Sequence, residues 1–163
     1  MEELTLQIRY RKCSYDELEP SDRIVVDAAR SATDRSYSPY SHFRVGAALL
    51  LSDGSIVTGS NQENAAYPSG LCAERTALFA AGSLYPDKAV KSLAVAAFTN
   101  GSFTGTPVTP CGACRQVIAE VESRYGNKIR IILYGSDFCL VFDNGIADIL
   151  PFCFGAGFLN DCE

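Results

Sequence analysis

The chain is predicted to fold as α/β: one domain built as a three-layer α/β/α sandwich around a mixed sheet of about five strands. Three observations point there. Segments of helical period alternate with short, almost wholly apolar strands, the pattern of a sheet covered on both faces. The 163 residues suit one domain. A hydrophobic content of 47% supplies a real core.

Residues 3–12 alternate. Leu4, Leu6, Ile8 and Tyr10 fall on one side and Thr5, Gln7, Arg9 and Arg11 on the other, which is strand period. Such an arm, within residues 1–13, suits lying along another surface. Residues 21–36 read as a helix, because Ile24, Val25, Ala28, Ala29 and Ala32 recur at helical spacing. Ser21 or Asp22 suits its N-cap, and Pro20 is tolerated at its start. Pro39 disfavours helix at Ser38 and ends it.

Residues 45–51 and 55–60 flank Asp53-Gly54, a hairpin signal. The first of these strands is apolar throughout, as a strand buried on both faces would be. Residues 61–70 read as a loop, broken by Pro68 and Gly70. Residues 72–82 form the next helix, with Ala73, Ala77, Leu78, Ala80 and Ala81 inside and Gly82 as its stop. Residues 90–99 are a second apolar strand, and 100–109 a loop. Residues 111–124 form a helix carrying Val117, Ile118 and Val121. Strands at 129–134 and 138–143 follow, separated by Gly135-Ser136-Asp137, and 145–150 makes a short helical turn. The order is α-β-β-α-β-α-β-β, with no internal repeat, low-complexity tract or linker.

A formal net charge of −5 gives no general attraction for phosphate backbones and argues against a polynucleotide partner. No apolar run reaches transmembrane length, so no membrane role is expected. The first residues lack a basic n-region and an apolar h-region, and a cytoplasmic location is expected. Seven cysteines, an odd number, favour reduced thiols and metal ligation over a disulfide framework.

Two runs carry chemistry. Leu71-Cys72-Ala73-Glu74-Arg75 and Pro110-Cys111-Gly112-Ala113-Cys114-Arg115 together offer three thiols and a carboxylate. Three protein ligands with the fourth position left to water is the pattern of a catalytic zinc site, so one Zn2+ per chain is expected. Cys111 and Cys114, three apart at a helix start, share one face. Both runs open helices, which brings two positive helix ends to one place. Glu74, two residues beyond Cys72, suits a group beside the metal that moves protons, as in zinc deaminases. The plainer reading of Glu74 is a favourable first-turn charge. The plainer reading of the thiols is a structural knuckle, which closes with a fourth Cys or His. Cys13, Cys139, Cys153 and Cys162 form no second close pair, and His42, the single histidine, is read as structural.

With these runs in place, the chain resembles the cytidine deaminases of the small, three-cysteine, homotetrameric kind, over about residues 37–155. Cys-x-Glu and Pro-Cys-x-x-Cys alone indicate the broad deaminase superfamily. The specific match lies in Pro39-Tyr40-Ser41-His42-Phe43-Arg44-Val45-Gly46-Ala47-Ala48, Asn61-Gln62-Glu63-Asn64-Ala65, Tyr67-Pro68-Ser69-Gly70-Leu71 and Leu150-Pro151-Phe152-Cys153-Phe154-Gly155. The resemblance implies a cytidine deaminase-like fold and hydrolytic deamination of cytidine and 2′-deoxycytidine in pyrimidine salvage. It implies Cys72, Cys111 and Cys114 as zinc ligands, Glu74 as proton shuttle, and Arg75 as donor to the ligand thiolates. It further implies Asn61 and Glu63 on the ribose 3′-OH, Phe43 as a wall for the base, and Ala73 as a backbone donor to it. Tyr67 and Phe154 are placed at the pocket, Phe154 in a neighbouring subunit's site of a homotetramer.

The residues alone leave several of these open. Loop capping suits Asn61 and Glu63, core packing suits Phe43, and Arg115 divides evenly between assisting the thiolates and a structural role. An aminonucleoside deaminase resembling blasticidin-S deaminase is the rival within the superfamily. A non-catalytic zinc-stabilised binding protein is the rival outside it. The N-terminal arm, Gln62 and the Gly-rich tail depart from the family pattern.

Overall fold

The structure, a computed structural model, describes residues 1–159. Cys162 lies outside them. Seven strands form one sheet: β1 (Arg11–Cys13), β2 (Arg44–Leu51), β3 (Ile56–Ser60), β4 (Val90–Thr99), β5 (Ser102–Phe103), β6 (Arg130–Tyr134) and β7 (Cys139–Phe142). Their order is β1-β7-β6-β4-β2-β3, with β5 paired to β4. Among the described residues β4 and β6 are the one parallel strand pair, so the sheet is mixed. The helices are α1 (Pro20–Ala32), α2 (Ala73–Leu84) and α3 (Gly112–Tyr125).

The period of two along each strand sorts its side chains onto two faces. On one face Ala47, Leu49, Leu51, Leu93, Val95, Ile131 and Leu133 pack with Ala73, Ala77 and Leu78 of α2 and Ile118 of α3. On the other, Ala48, Ala94, Ala96 and Ile132 pack with Val25, Val26 and Ala29 of α1. Both faces of β2, β4 and β6 are therefore covered, which is why these strands read as continuous apolar runs.

Gly59 sets how closely α2 lies on the sheet. A Cβ there would sit 2.4 Å from the Ala77 nitrogen and 2.6 Å from the Ala73 carbonyl oxygen. The first turn of α2, which carries the Cys72 run, is seated against β3 by that absent methyl.

Four details differ from the sequence expectation. The alternation over residues 3–12 yields strand only at Arg11–Cys13, because β7 ends at Phe142 and leaves the earlier residues no strand to pair with. The first helix starts at Pro20 with Glu19 as N-cap, so Ser21 and Asp22 lie inside it. Asp22 is instead buried in an ion pair with Arg130, 2.6 Å away. The second helix runs past Gly82 to Leu84. Residues 100–109 contain β5, turned back by Asn100 (φ 52°) and Gly101 (φ 81°), an Asn-Gly hairpin turn.

Candidate active site

Cys72 is the N-cap of α2 and Cys111 the N-cap of α3, while Cys114 lies in the first turn of α3. The parallel β4–β6 pairing and the packing of α2 beside α3 bring these helix starts together. The Cys72 and Cys111 sulfurs are 3.7 Å apart, and those of Cys111 and Cys114 are 3.5 Å apart. All three lie within 4.8 Å of one another. Sulfurs set tetrahedrally at about 2.3 Å from one zinc ion stand about 3.8 Å apart, so the donor set and its spacing fit zinc.

The thiols shift one another's proton affinity. The Cys72 thiol is held down to about 5, chiefly by a hydrogen bond from Cys114 and then by the Arg75 guanidinium. The same hydrogen bond, with burial, pushes Cys114 up. Arg75 donates from Nη2 to the Cys72 sulfur at 3.9 Å. Arg115 stands elsewhere. Its Nε donates to the Pro110 carbonyl at 2.8 Å and its Nη1 to the Ile149 carbonyl at 2.7 Å, tying the start of α3 to the 145–149 turn.

Beside the thiols opens a cleft of about 670 Å³. Glu74 lines it, and only 4% of the residue is exposed. Burial pushes its carboxyl up, and the Cys72 thiolate adds to the effect. Ala73, fully buried, lines the same wall.

Across the cleft stand Asn61, Glu63, Tyr40, Ser41 and Tyr67. Asn61 follows β3 and clasps the neighbouring loop. Its Oδ1 accepts from the Val45 amide at 2.8 Å and its Nδ2 donates to the Phe43 carbonyl at 2.9 Å. Glu63 Oε2 accepts from the amides of Tyr40 at 2.9 Å and Ser41 at 3.2 Å, and Oε1 accepts from the Ser41 hydroxyl. That hydroxyl, first among these donors, holds the Glu63 carboxyl below its ordinary value. Both side chains thus brace the 38–43 loop while lining the cleft. Tyr67 is 78% exposed and meets Tyr40 edge-on at 6.2 Å.

Phe43 and Phe154 stand outside the lining of this cleft. The Phe43 backbone is taken up by the Asn61 amide and, through its own N–H, by Ser41 Oγ at 3.0 Å. Phe154 is 58% exposed, stacks on Phe158 at 5.7 Å, and accepts at its carbonyl from Gln116 at 2.7 Å. His42, exposed with φ 55°, is a turn residue outside the thiol cluster. Ser41 was missed by sequence reasoning. It lies in a run whose pattern was recognised, but a serine in a loop carries no sign of the carboxylate it will meet.

The family model for the cytidine and deoxycytidylate deaminase zinc-binding region matches residues 20–126. A cytidine deaminase of Halalkalibacterium halodurans is 41% identical over 139 residues, which cover 85% of this chain and 98% of that protein. One from Sporosarcina psychrophila is 52% identical over 96 residues, covering 59% of this chain and 66% of that protein. The crystal structure of the Burkholderia pseudomallei cytidine deaminase is similar with a TM-score of 0.66 and 38% identity, covering 80% of this chain and 97% of that one. A three-thiol cluster at two helix starts, a buried carboxyl beside it and this likeness in sequence and fold lead to one assignment: the chain belongs to the cytidine and deoxycytidylate deaminase family.

Proposed function

We propose that the protein hydrolyses cytidine and 2′-deoxycytidine to uridine and 2′-deoxyuridine with release of ammonia, in pyrimidine salvage, using one zinc ion per chain. The observation that carries this reading is Glu74, buried in the cleft wall two residues from Cys72, with its carboxyl pushed up by burial. Cys72, Cys111 and Cys114 would hold the metal, whose Lewis acidity makes water a nucleophile near neutral pH.

The remaining work falls to the chain's own groups. Glu74 accepts a proton from the attacking water and hands it to N3 of the pyrimidine. As the C4–N bond breaks, it takes the second proton from the new C4 hydroxyl and gives it to the departing amine, which leaves as ammonia while C4 becomes the carbonyl of uridine. Its carboxyl, held above its ordinary value by burial, suits a group that both takes and gives a proton. Arg75 draws charge from the Cys72 thiolate. The Ala73 N–H, at the start of α2, is available to the base. Asn61 keeps one amide hydrogen beyond its bond to Phe43, and Glu63 keeps acceptor capacity, so the pair suits a sugar hydroxyl. A nucleoside, rather than a polynucleotide, agrees with the chain's acidic balance.

The proposal includes a homotetramer with sites at the subunit contacts. Phe152, Phe154 and Phe158 are 88%, 58% and 68% exposed, an apolar tail suited to burial against a neighbour. There Phe154 and Phe43 would complete the wall around the base. Glu74→Gln tests the proposal. Turnover of cytidine is expected to fall by at least about a hundredfold while zinc stays bound. Appreciable turnover in that variant would remove Glu74 from the role.

A further inference from the structure

Three of the described cysteines stand outside the thiol cluster: Cys13, Cys139 and Cys153. Two of them face each other. In the antiparallel pairing of β1 with β7, Cys13 lies directly opposite Cys139. Opposed residues of such a pair project from the same face of the sheet. Both side chains accordingly belong to the α1 side, Cys139 fully buried in that core and Cys13 half-buried at its edge.

Register also gives the spacing. Opposed Cα atoms of antiparallel strands stand about 4.5 or 5.5 Å apart, according to the hydrogen-bonding position. Disulfides join cysteines whose Cα atoms are about 4.4–6.8 Å apart, so either position suits a bridge. Among the described residues β1 is the last strand of the sheet and has a neighbour on one side alone, which leaves it free to close on β7. Cys13 lines a cavity of about 50 Å³ with Glu17, Asp22 and Arg130, room for a molecule the size of water or peroxide.

The other ties of β1 are slight. It is three residues long. Arg11 pairs with Asp143 at 2.9 Å, where both side chains are half exposed, and Lys12 lies 4.0 Å from the centre of the Phe138 ring. Exposed ion pairs contribute little. A covalent tie at Cys13 would therefore change how firmly the arm is held.

We infer that Cys13 and Cys139 form an oxidative modification site, at which hydrogen peroxide makes a reversible disulfide that clamps the N-terminal arm to β7. Cys13, the accessible thiol, reacts first. Its thiolate attacks one peroxide oxygen, the O–O bond breaks, hydroxide leaves, and Cys13 becomes a sulfenic acid. The Cys139 sulfur then attacks the Cys13 sulfur, the S–O bond breaks, and the second oxygen leaves as water. Two thiols give up two electrons and two protons, and one peroxide becomes two waters. Burial, first among the causes, holds both thiols above their ordinary value, and Cys13 adds to the rise at Cys139. Thiolate is thus scarce, and closure needs the oxidant in excess.

Excess hydrogen peroxide added to the zinc-loaded full chain tests the inference, with peptides mapped by mass spectrometry without reduction. A bridged Cys13–Cys139 peptide is expected, with loss of two free thiols that dithiothreitol restores. In Cys139→Ala no bridge can close, and dimedone should label Cys13 as the sulfenic acid. Amide exchange at residues 11–13 of the wild type should slow on oxidation and return on reduction. Cys13 left unbridged in the oxidised wild type, Cys13 bridged to another cysteine, or exchange unchanged by the bridge would overturn the inference. The wild-type map needs no substitution, so it decides even if Cys139→Ala folds poorly. Cytidine turnover is no part of the readout, so the inference stands or falls apart from the proposed activity.

Discussion

Arg75 reaches back one helical turn to place Nη2 3.9 Å from the Cys72 sulfur. Its Nε is buried without a partner, so the guanidinium is committed to this corner of the site. Groups that hydrogen-bond metal ligands typically contribute about 10- to 100-fold to metal affinity. Arg75→Gln should therefore lose zinc to a competing chelator at a concentration about tenfold lower or more. Equal retention would separate Arg75 from the metal site.

Burial raises the Glu74 carboxyl above its ordinary value. The sign of the linkage follows. A carboxyl raised in the fold adds stability below its unfolded value and loses it as pH rises through its folded one. Glutamine cannot ionise. In metal-free protein, the melting temperature of Glu74→Gln relative to the wild type should climb as pH is raised from 4 towards 8. A gap constant with pH would mean that Glu74 is not held in a desolvating site.

Gly59 holds the first turn of α2 against β3. A methyl there would press on backbone at Ala73 and Ala77, at 2.6 and 2.4 Å, and neither can rotate away. Gly59→Ala should cost about 1–3 kcal/mol of stability. It should also weaken zinc retention, because it displaces the turn that begins at Cys72. Unfolding by denaturant and metal analysis read the two effects separately.

Much of this was legible in the sequence, for reasons that differ by residue. Cys111 and Cys114 announce themselves because a spacing of three at a helix start leaves two thiols on one face. Cys72 joins them across 39 residues, which no local pattern signals; ligand counting for a catalytic zinc site brought it in, and the resemblance implied the same. The strands of the centre were readable because both faces are covered. The small pairing of β5 was passed over although Asn100-Gly101 marks it. The arm read as a strand because its alternation is genuine, but a strand needs a neighbour, and β7 stops at Phe142. Asn61 and Glu63 showed their spacing but not the loop that occupies them, since Val45, Phe43 and Ser41 meet them only in the fold.

Glu63 braces Tyr40 and Ser41 at the cleft, so its loss should affect binding more than chemistry. Glu63→Ala is expected to raise KM for cytidine about tenfold or more, as for loss of a charged hydrogen bond. Its preference for cytidine over free cytosine should shrink. An unchanged preference would leave Glu63 as a loop brace only.

Asp22 and Arg130 join α1 to β6. The Asp22 side chain is 4% exposed, and Arg130 meets both its oxygens, at 3.1 Å through Nε and at 2.6 Å through Nη2. Arg130 is a quarter exposed and also meets Asp143 and Glu19, so it stays partly paired when Asp22 is lost, and the cost is about 1–3 kcal/mol, that of charged hydrogen bonds. Asp22→Ala should lower the melting temperature by about 5 °C. It should leave zinc content unchanged, since the pair lies on the face of the sheet opposite α2 and α3.

The central claim is a zinc-dependent nucleoside deaminase, and ultraviolet absorbance tests it most directly. Purified protein is mixed with cytidine, with free cytosine and with blasticidin S, and metal is measured on the same sample. The account predicts turnover of cytidine alone of the three, with about one zinc per chain. Zinc without turnover of cytidine would contradict it, as would turnover that persists when the metal is stripped.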